Sequence, residues 1–213
     1  MKVWDLPTRV FHWGIVVLIS AAWYTAENGL MEWHYRTGIT VLGLITFRLI
    51  WGLAGNATAR FSNFVRSPKA VSAYLRAKGA PSKAGHNPLG GYSVLAMLAA
   101  MIVQVSTGVI AVDIDGIESG PLSYAISFDH GRLAAAVHSV SFIAIQVLVA
   151  LHIVAIIIYR VRGRRLIVPM ITGRDPQLTG DVIQASRGGL VRALAAIAAA
   201  STFAWWVDAG APL

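Results

Sequence analysis

From Gly131 to Tyr159 the chain is almost without polar side chains, yet it carries two imidazoles, His138 and His152. A helix needs about 20 apolar residues to cross a hydrocarbon core of ~30 Å, so this run reads as a membrane span. The two histidines lie 14 residues apart, which on one helix is roughly 21 Å of rise and about 40° of rotation. They share a face near opposite ends of the span, and the left-handed supercoil of a bundle absorbs a drift of about 20° per heptad. An ionisable side chain at membrane depth normally faces the bundle interior and marks a functional site. Two in register have the geometry for two stacked cofactors; a ring that merely bonds a neighbouring helix is the usual explanation of one buried histidine.

The rest of the composition agrees with a membrane protein: 56% of the 213 residues are hydrophobic and 13% are charged, too apolar a balance for an ordinary soluble domain. Spans are predicted over residues 9–25, 34–54, 90–112, 131–159 and 190–207, all within one membrane domain over 1–213. The fold class is therefore all-α, an integral membrane bundle. A net charge of +8 would point to nucleic acid in a soluble protein, but here it follows sidedness. The segment 55–88 holds Arg60, Arg66, Lys69, Arg76, Lys78 and Lys83 with no acid, and 160–189 holds six arginines, Arg164, Arg165 and Arg187 among them, against two aspartates. The segments 26–33 and 113–130 carry only acids. The positive-inside rule then puts the N-terminus in the cytoplasm and the C-terminus outside. Asp5 and Pro7 in the short n-region argue for keeping the first span as a helix rather than a signal peptide. The absence of cysteine excludes disulfides, thiolate iron–sulfur clusters and covalent c-type haem, so any haem is held by histidine.

Taken in order, Pro7 suits a helix first turn, and His12 follows about one and a half turns into the bilayer. Arg9 is either a positive-inside charge or a partner for a haem propionate. His34 opens the second span from the opposite side. Arg48, 14 residues after His34 and on its face, either snorkels to the headgroups or binds a cofactor carboxylate. Ser67-Pro68 begins a short amphipathic helix predicted to lie on the inner leaflet. His86, in the turn Gly85-His86-Asn87-Pro88, is expected at the surface, either solvent-facing or against a quinone headgroup or proton path. The third span has no histidine; its Gln104, Ser106 and Thr107 bond across the bundle. The acidic loop 113–130 is either simply solvated or a face for a basic soluble partner. His130 is read as a loop residue, and the alanine-rich last span as peripheral.

By depth the histidines form two pairs from different helices, His12 with His152 at the inner level and His34 with His138 at the outer. Bis-histidine ligation leaves iron no open position and favours electron transfer. The assembly expected is one b haem on each pair, with two hops carrying electrons across the membrane. Zinc or copper is disfavoured, because each level lacks the extra Cys, Asp or Glu of closed sites.

Val3-Trp4-Asp5-Leu6-Pro7-Thr8-Arg9 leading to His12-Trp13, Glu32-Trp33-His34, Phe47-Arg48-Leu49-Ile50-Trp51-Gly52, Gly85-His86-Asn87-Pro88, His138 with Leu151-His152, and Arg164-Arg165 with Pro169-Met170-Ile171-Thr172-Gly173 together resemble the prokaryotic cytochrome b561 family, which includes b-type subunits of nickel–iron hydrogenases. The resemblance covers about residues 1–175. It implies a four-helix haem-binding bundle with two b haems on His12, His34, His138 and His152, in a bacterial inner membrane, with the fifth helix outside the common core. It also implies electron transfer between a periplasmic c-type cytochrome or dehydrogenase and membrane quinone in the respiratory chain. Some relatives instead oxidise superoxide and reduce quinone without a protein partner; Arg36 and Arg132, the basic residues near the outer pair, either draw a small anion, as that alternative needs, or bind propionates of the outer haem.

Overall fold

The computed structural model describes residues 1–77, 85–115, 117–178 and 189–212; Lys78, Lys83 and Arg187 of the basic segments lie outside them. The helices are α1 (Leu6–Glu27), α2 (Met31–Ala54), α3 (Phe61–Phe64), α4 (Pro68–Arg76), α5 (Pro88–Gly108), α6 (Phe128–Val161), α7 (Ile167–Thr172) and α8 (Gly189–Asp208). Five of them, α1, α2, α5, α6 and α8, are long and apolar enough to cross a membrane. The chain is thus a multi-pass, all-α membrane protein. Leu133, Val140, Ile143, Val147, Leu151, Val154 and Ile158 of α6 are all exposed, as befits a surface solvated by lipid.

Several boundaries differ from expectation, among them the end of the third span and the start of the fourth. The third span ends at Gly108, not at residue 112, because the chain turns at Val109 and Ile110 and the Val112 N–H goes to the Gly131 carbonyl. The fourth long helix starts at Phe128, where Ser127 precedes it and its hydroxyl lies 2.7 Å from His130 Nδ1. His130 is therefore a first-turn helical residue, not a loop residue.

The residues cluster into two compact units. The first comprises Met1–Phe11, Arg48–Met97 and Leu148–Ala196, and its hub is the buried carboxylate of Asp5. One oxygen caps α1 by accepting from the Thr8 N–H at 2.8 Å; the other accepts from Trp51 Nε1 at 3.1 Å and Asn56 Nδ2 at 2.9 Å. The segment before α1 is pinned by the Gly173 carbonyl, which takes the N–H groups of Val3 and Trp4 at 2.8 and 3.2 Å. Gly173 ends α7 with φ at +79°, and a Cβ there would stand 2.8 Å from the Trp4 carbonyl oxygen. Both demands select glycine. α4 forms as expected, capped by the Ser67 hydroxyl with Pro68 at its first position.

The second unit comprises His12–Phe47, Leu98–Val147 and Ile197–Leu213, with Val41, Leu42, Ile45, Phe47, Met101, Val105 and Ile145 buried. Here α8 lays Ala200 and Ala204 against Gly43, whose added Cβ would meet the Ala204 methyl at 3.4 Å. Small residues let membrane helices approach closely. The Tyr35 hydroxyl also donates to Asp208 at 2.7 Å, so the last helix packs on α2 rather than standing apart from it.

Removing the hub is expected to cost about 2–4 kcal/mol, since Asp5→Ala deletes a cap and orphans the buried indole N–H of Trp51 and the part-buried amide of Asn56. Thermal unfolding in detergent should show this loss, with Asp5→Asn intermediate. Equal stability of Asp5→Ala and the parent would remove Asp5 from its central role.

Candidate functional site

In the second unit α2 and α6 bring His34 and His138 together, ring centroids 6.1 Å apart and planes at 87°. Both rings are half-buried, and each has its Nδ1 against a main-chain carbonyl at 2.9 Å: His34 on Ala22 of α1, His138 on Gln104 of α5. A nitrogen facing a carbonyl oxygen must carry the proton, so both neutral rings are Nδ1–H tautomers with the lone pair on Nε2. A second contact agrees at His138, whose Nε2 lies 2.9 Å from the Gln104 side-chain nitrogen, a donor only. The Gln104 amide oxygen is in turn taken by the Ser141 hydroxyl, which fixes the amide orientation. Gly108 makes room for the ring, since a Cβ there would stand 2.9 Å from His138 Cε1.

The carbonyls of Ala22 and Gln104 and the space at Gly108 were not among the sequence candidates. Gln104 left a partial signal as an amide in an apolar helix. A backbone oxygen leaves none.

The first unit holds His152 on α6, half-buried, and Arg48 on α2. Arg48 does not snorkel: it is 3% exposed, lies with its guanidinium 4.8 Å from the Phe61 ring centroid and 5.9 Å from that of Phe11, and has Nη1 sealed without a hydrogen-bond partner among the described residues. Arg9 donates through Nη1 to the Ile171 carbonyl, while its Nε is likewise sealed and unpartnered. His12, on α1 in the second unit, is half-buried, its ring edge-on to Trp13 at 5.0 Å. Arg36 is exposed and paired with Glu32 at 2.6 Å, and Arg132 donates to the Val112 carbonyl at 2.9 Å.

His86 is half-buried rather than solvent-facing. Its ring packs 4.8 Å from Trp4 and 4.6 Å from Phe64, and its Nδ1 is sealed without a partner among the described residues. The other members of the turn have structural duties. Gly85 adopts φ +98°, Asn87 caps α5 by accepting from the Gly90 N–H at 2.7 Å and donates to the Tyr159 hydroxyl at 2.6 Å, and Pro88 takes the first helical position. Burial pushes the His86 pKa down to about 4, helped by the charge of Arg48 and by His152. An unfolded histidine titrates near 6.5, so below that pH the unfolded chain takes up a proton that the folded one refuses. Stability is therefore expected to fall as pH drops from about 6.5 towards 4, and His86→Asn should flatten that slope. Melting temperatures across this range check it; parallel slopes for parent and variant would contradict it.

A family model described as prokaryotic cytochrome b561 matches residues 3–173. No curated protein and no solved structure matches the chain.

Proposed function

Because the chain belongs to the prokaryotic cytochrome b561 family, whose members are membrane b-type cytochromes of electron transfer, we propose that it carries two b haems, one on His34 and His138 and one on His12 and His152. The observation that carries this reading is the His34–His138 pair. Two imidazoles that bind one metal at about 2 Å per bond stand with centroids about 6 Å apart, and these two stand at 6.1 Å, each with its lone pair on Nε2; at His138 the Gln104 amide donates to that lone pair, a bond that iron would replace. The pair His12 and His152 rests on sequence spacing. Arg48 and Arg9, each with a sealed and unpartnered nitrogen, suit the carboxylates that a haem brings. A bound haem would supply a one-electron carrier. The chain's own part is to hold the ligand rings in one tautomer, to screen them with apolar helices and to balance the cofactor's charge.

On this reading the protein passes electrons between a periplasmic c-type cytochrome or dehydrogenase and membrane quinone, in the bacterial inner membrane, with its N-terminus cytoplasmic.

Purified protein should contain two haems per chain, low-spin in both oxidation states. His34→Ala and His138→Ala should each lose the same haem, His12→Ala and His152→Ala the other, while His86→Ala and His130→Ala keep both. Haem quantified per chain with a redox titration decides this; loss of a haem in His130→Ala with retention in His138→Ala would overturn the ligand assignment.

Sidedness has its own test, since the segments 26–33 and 113–130 should face the periplasm. A cysteine at Asp115→Cys should react with an impermeant reagent from outside intact cells. Labelling only after the cytoplasmic face is opened would invert the topology.

A further inference from the structure

The two rings of the His34–His138 pair are held by the same local device. The Ala22 carbonyl that receives His34 Nδ1 also accepts from the hydroxyl of Thr25, three residues on, at 3.0 Å, and that hydroxyl reaches the Ala21 carbonyl at 2.8 Å. The Gln104 carbonyl that receives His138 Nδ1 accepts from the hydroxyl of Thr107, again three residues on, at 3.1 Å, and that hydroxyl reaches the Val103 carbonyl at 2.7 Å. In both cases the threonine sits in the last turn of its helix, α1 ending at Glu27 and α5 at Gly108. Neither helix donates a ligand to this pair.

A threonine that bonds back to the preceding turn bends a helix and draws its carbonyls off the axis. Near a helix C-terminus those carbonyls also carry the negative end of the backbone dipole. A carbonyl drawn outward and electron-rich is a good acceptor for an imidazole N–H, and that bond sets both ring orientation and the basicity of the opposite nitrogen. Other threonines of α2 lack the second half of the device. Thr37, Thr40 and Thr46 bond back to Trp33, Arg36 and Leu42, carbonyls that receive no histidine in the hydrogen bonds of the described residues.

We propose that Thr25 and Thr107 are a matched pair of positioning residues, which open the Ala22 and Gln104 carbonyls towards His34 and His138 and thereby set how strongly both rings donate to iron. The inference rests on the reading of these histidines as axial ligands. It goes beyond that reading by assigning two hydroxyls on two other helices to the same cofactor.

The test uses the full-length haem-loaded protein, with Thr25→Val and Thr107→Val removing the hydroxyl while keeping the branched shape. With less of the carbonyl aimed at Nδ1–H, each ligand becomes less electron-rich and the ferric state loses support. The midpoint potential of the haem on His34 and His138 should therefore rise in each variant, with altered low-spin electron paramagnetic resonance signals, while the other haem keeps its potential. Thr25→Ser and Thr107→Ser should restore the parent values, and Thr46→Val should leave both haems unchanged. An unchanged or lowered potential, an equal shift of both haems, or serine variants that behave like valine would overturn the proposal. The His34→Ala protein separates this from a failure of the ligand reading. If it still holds two haems, the ligand assignment is wrong; if it holds one, that haem must be indifferent to Thr25→Val.

Discussion

Hydrocarbon offers no hydrogen bonds, so every polar group inside the spans must be matched from within the chain or by something the chain binds. This constraint orders the structure. Hydroxyls of Thr37, Thr40 and Thr46 bond back to their own helix, and the carboxylate of Asp5 is saturated by three donors. Nδ1 of His34 and of His138 is matched by a main-chain oxygen, which gives each ring a defined tautomer with its lone pair on Nε2, met at His138 by the Gln104 amide. A ring held this firmly by one nitrogen is prepared to bind through the other.

The same constraint explains how much of the molecule was legible in its sequence. Five spans stand out because hydropathy over about 20 residues is a strong signal, whereas their ends depended on single residues, Gly108 stopping one helix and Ser127 starting another. The histidines were conspicuous against apolar neighbours. The carbonyls that hold two of them were not, since every residue has one and only three-dimensional packing selects Ala22 and Gln104. Thr25 is equally silent in the sequence, and Thr107, read there as bonding across the bundle, bonds back instead to Val103 and Gln104 of its own helix. His86 was misplaced for a related reason: a Gly-His-Asn-Pro turn reads as surface loop, but Trp4 and Phe64, distant in sequence, close over it.

Several of the motifs that carry the family resemblance turn out to hold the chain together. The Trp4-Asp5-Leu6-Pro7 segment caps α1 and gathers Trp51 and Asn56, and Gly173 fastens that segment in place. Asn87 caps α5 and ties it to Tyr159. A family pattern in this membrane protein is thus in good part a pattern of satisfied polar groups, and the proposed ligand histidines are a small share of it.

Arg48 breaks that pattern. A guanidinium buried to 3% exposure within a spanning helix is costly unless an anion meets it, because desolvation of a full charge is repaid only by a close counter-charge with good hydrogen bonds. Asp5 acts on Arg48 electrostatically, yet both its oxygens are engaged by Thr8, Trp51 and Asn56. The aromatic faces of Phe61 and Phe11 offer the cation about 0.5–2 kcal/mol, too little to offset such a burial. An open Nη1 in this setting calls for a carboxylate that no described side chain provides, and a haem propionate is a group of that charge and hydrogen-bonding geometry. The uncompensated charge of Arg48 is an observation separate from the histidine pair, and the proposed cofactor would answer both.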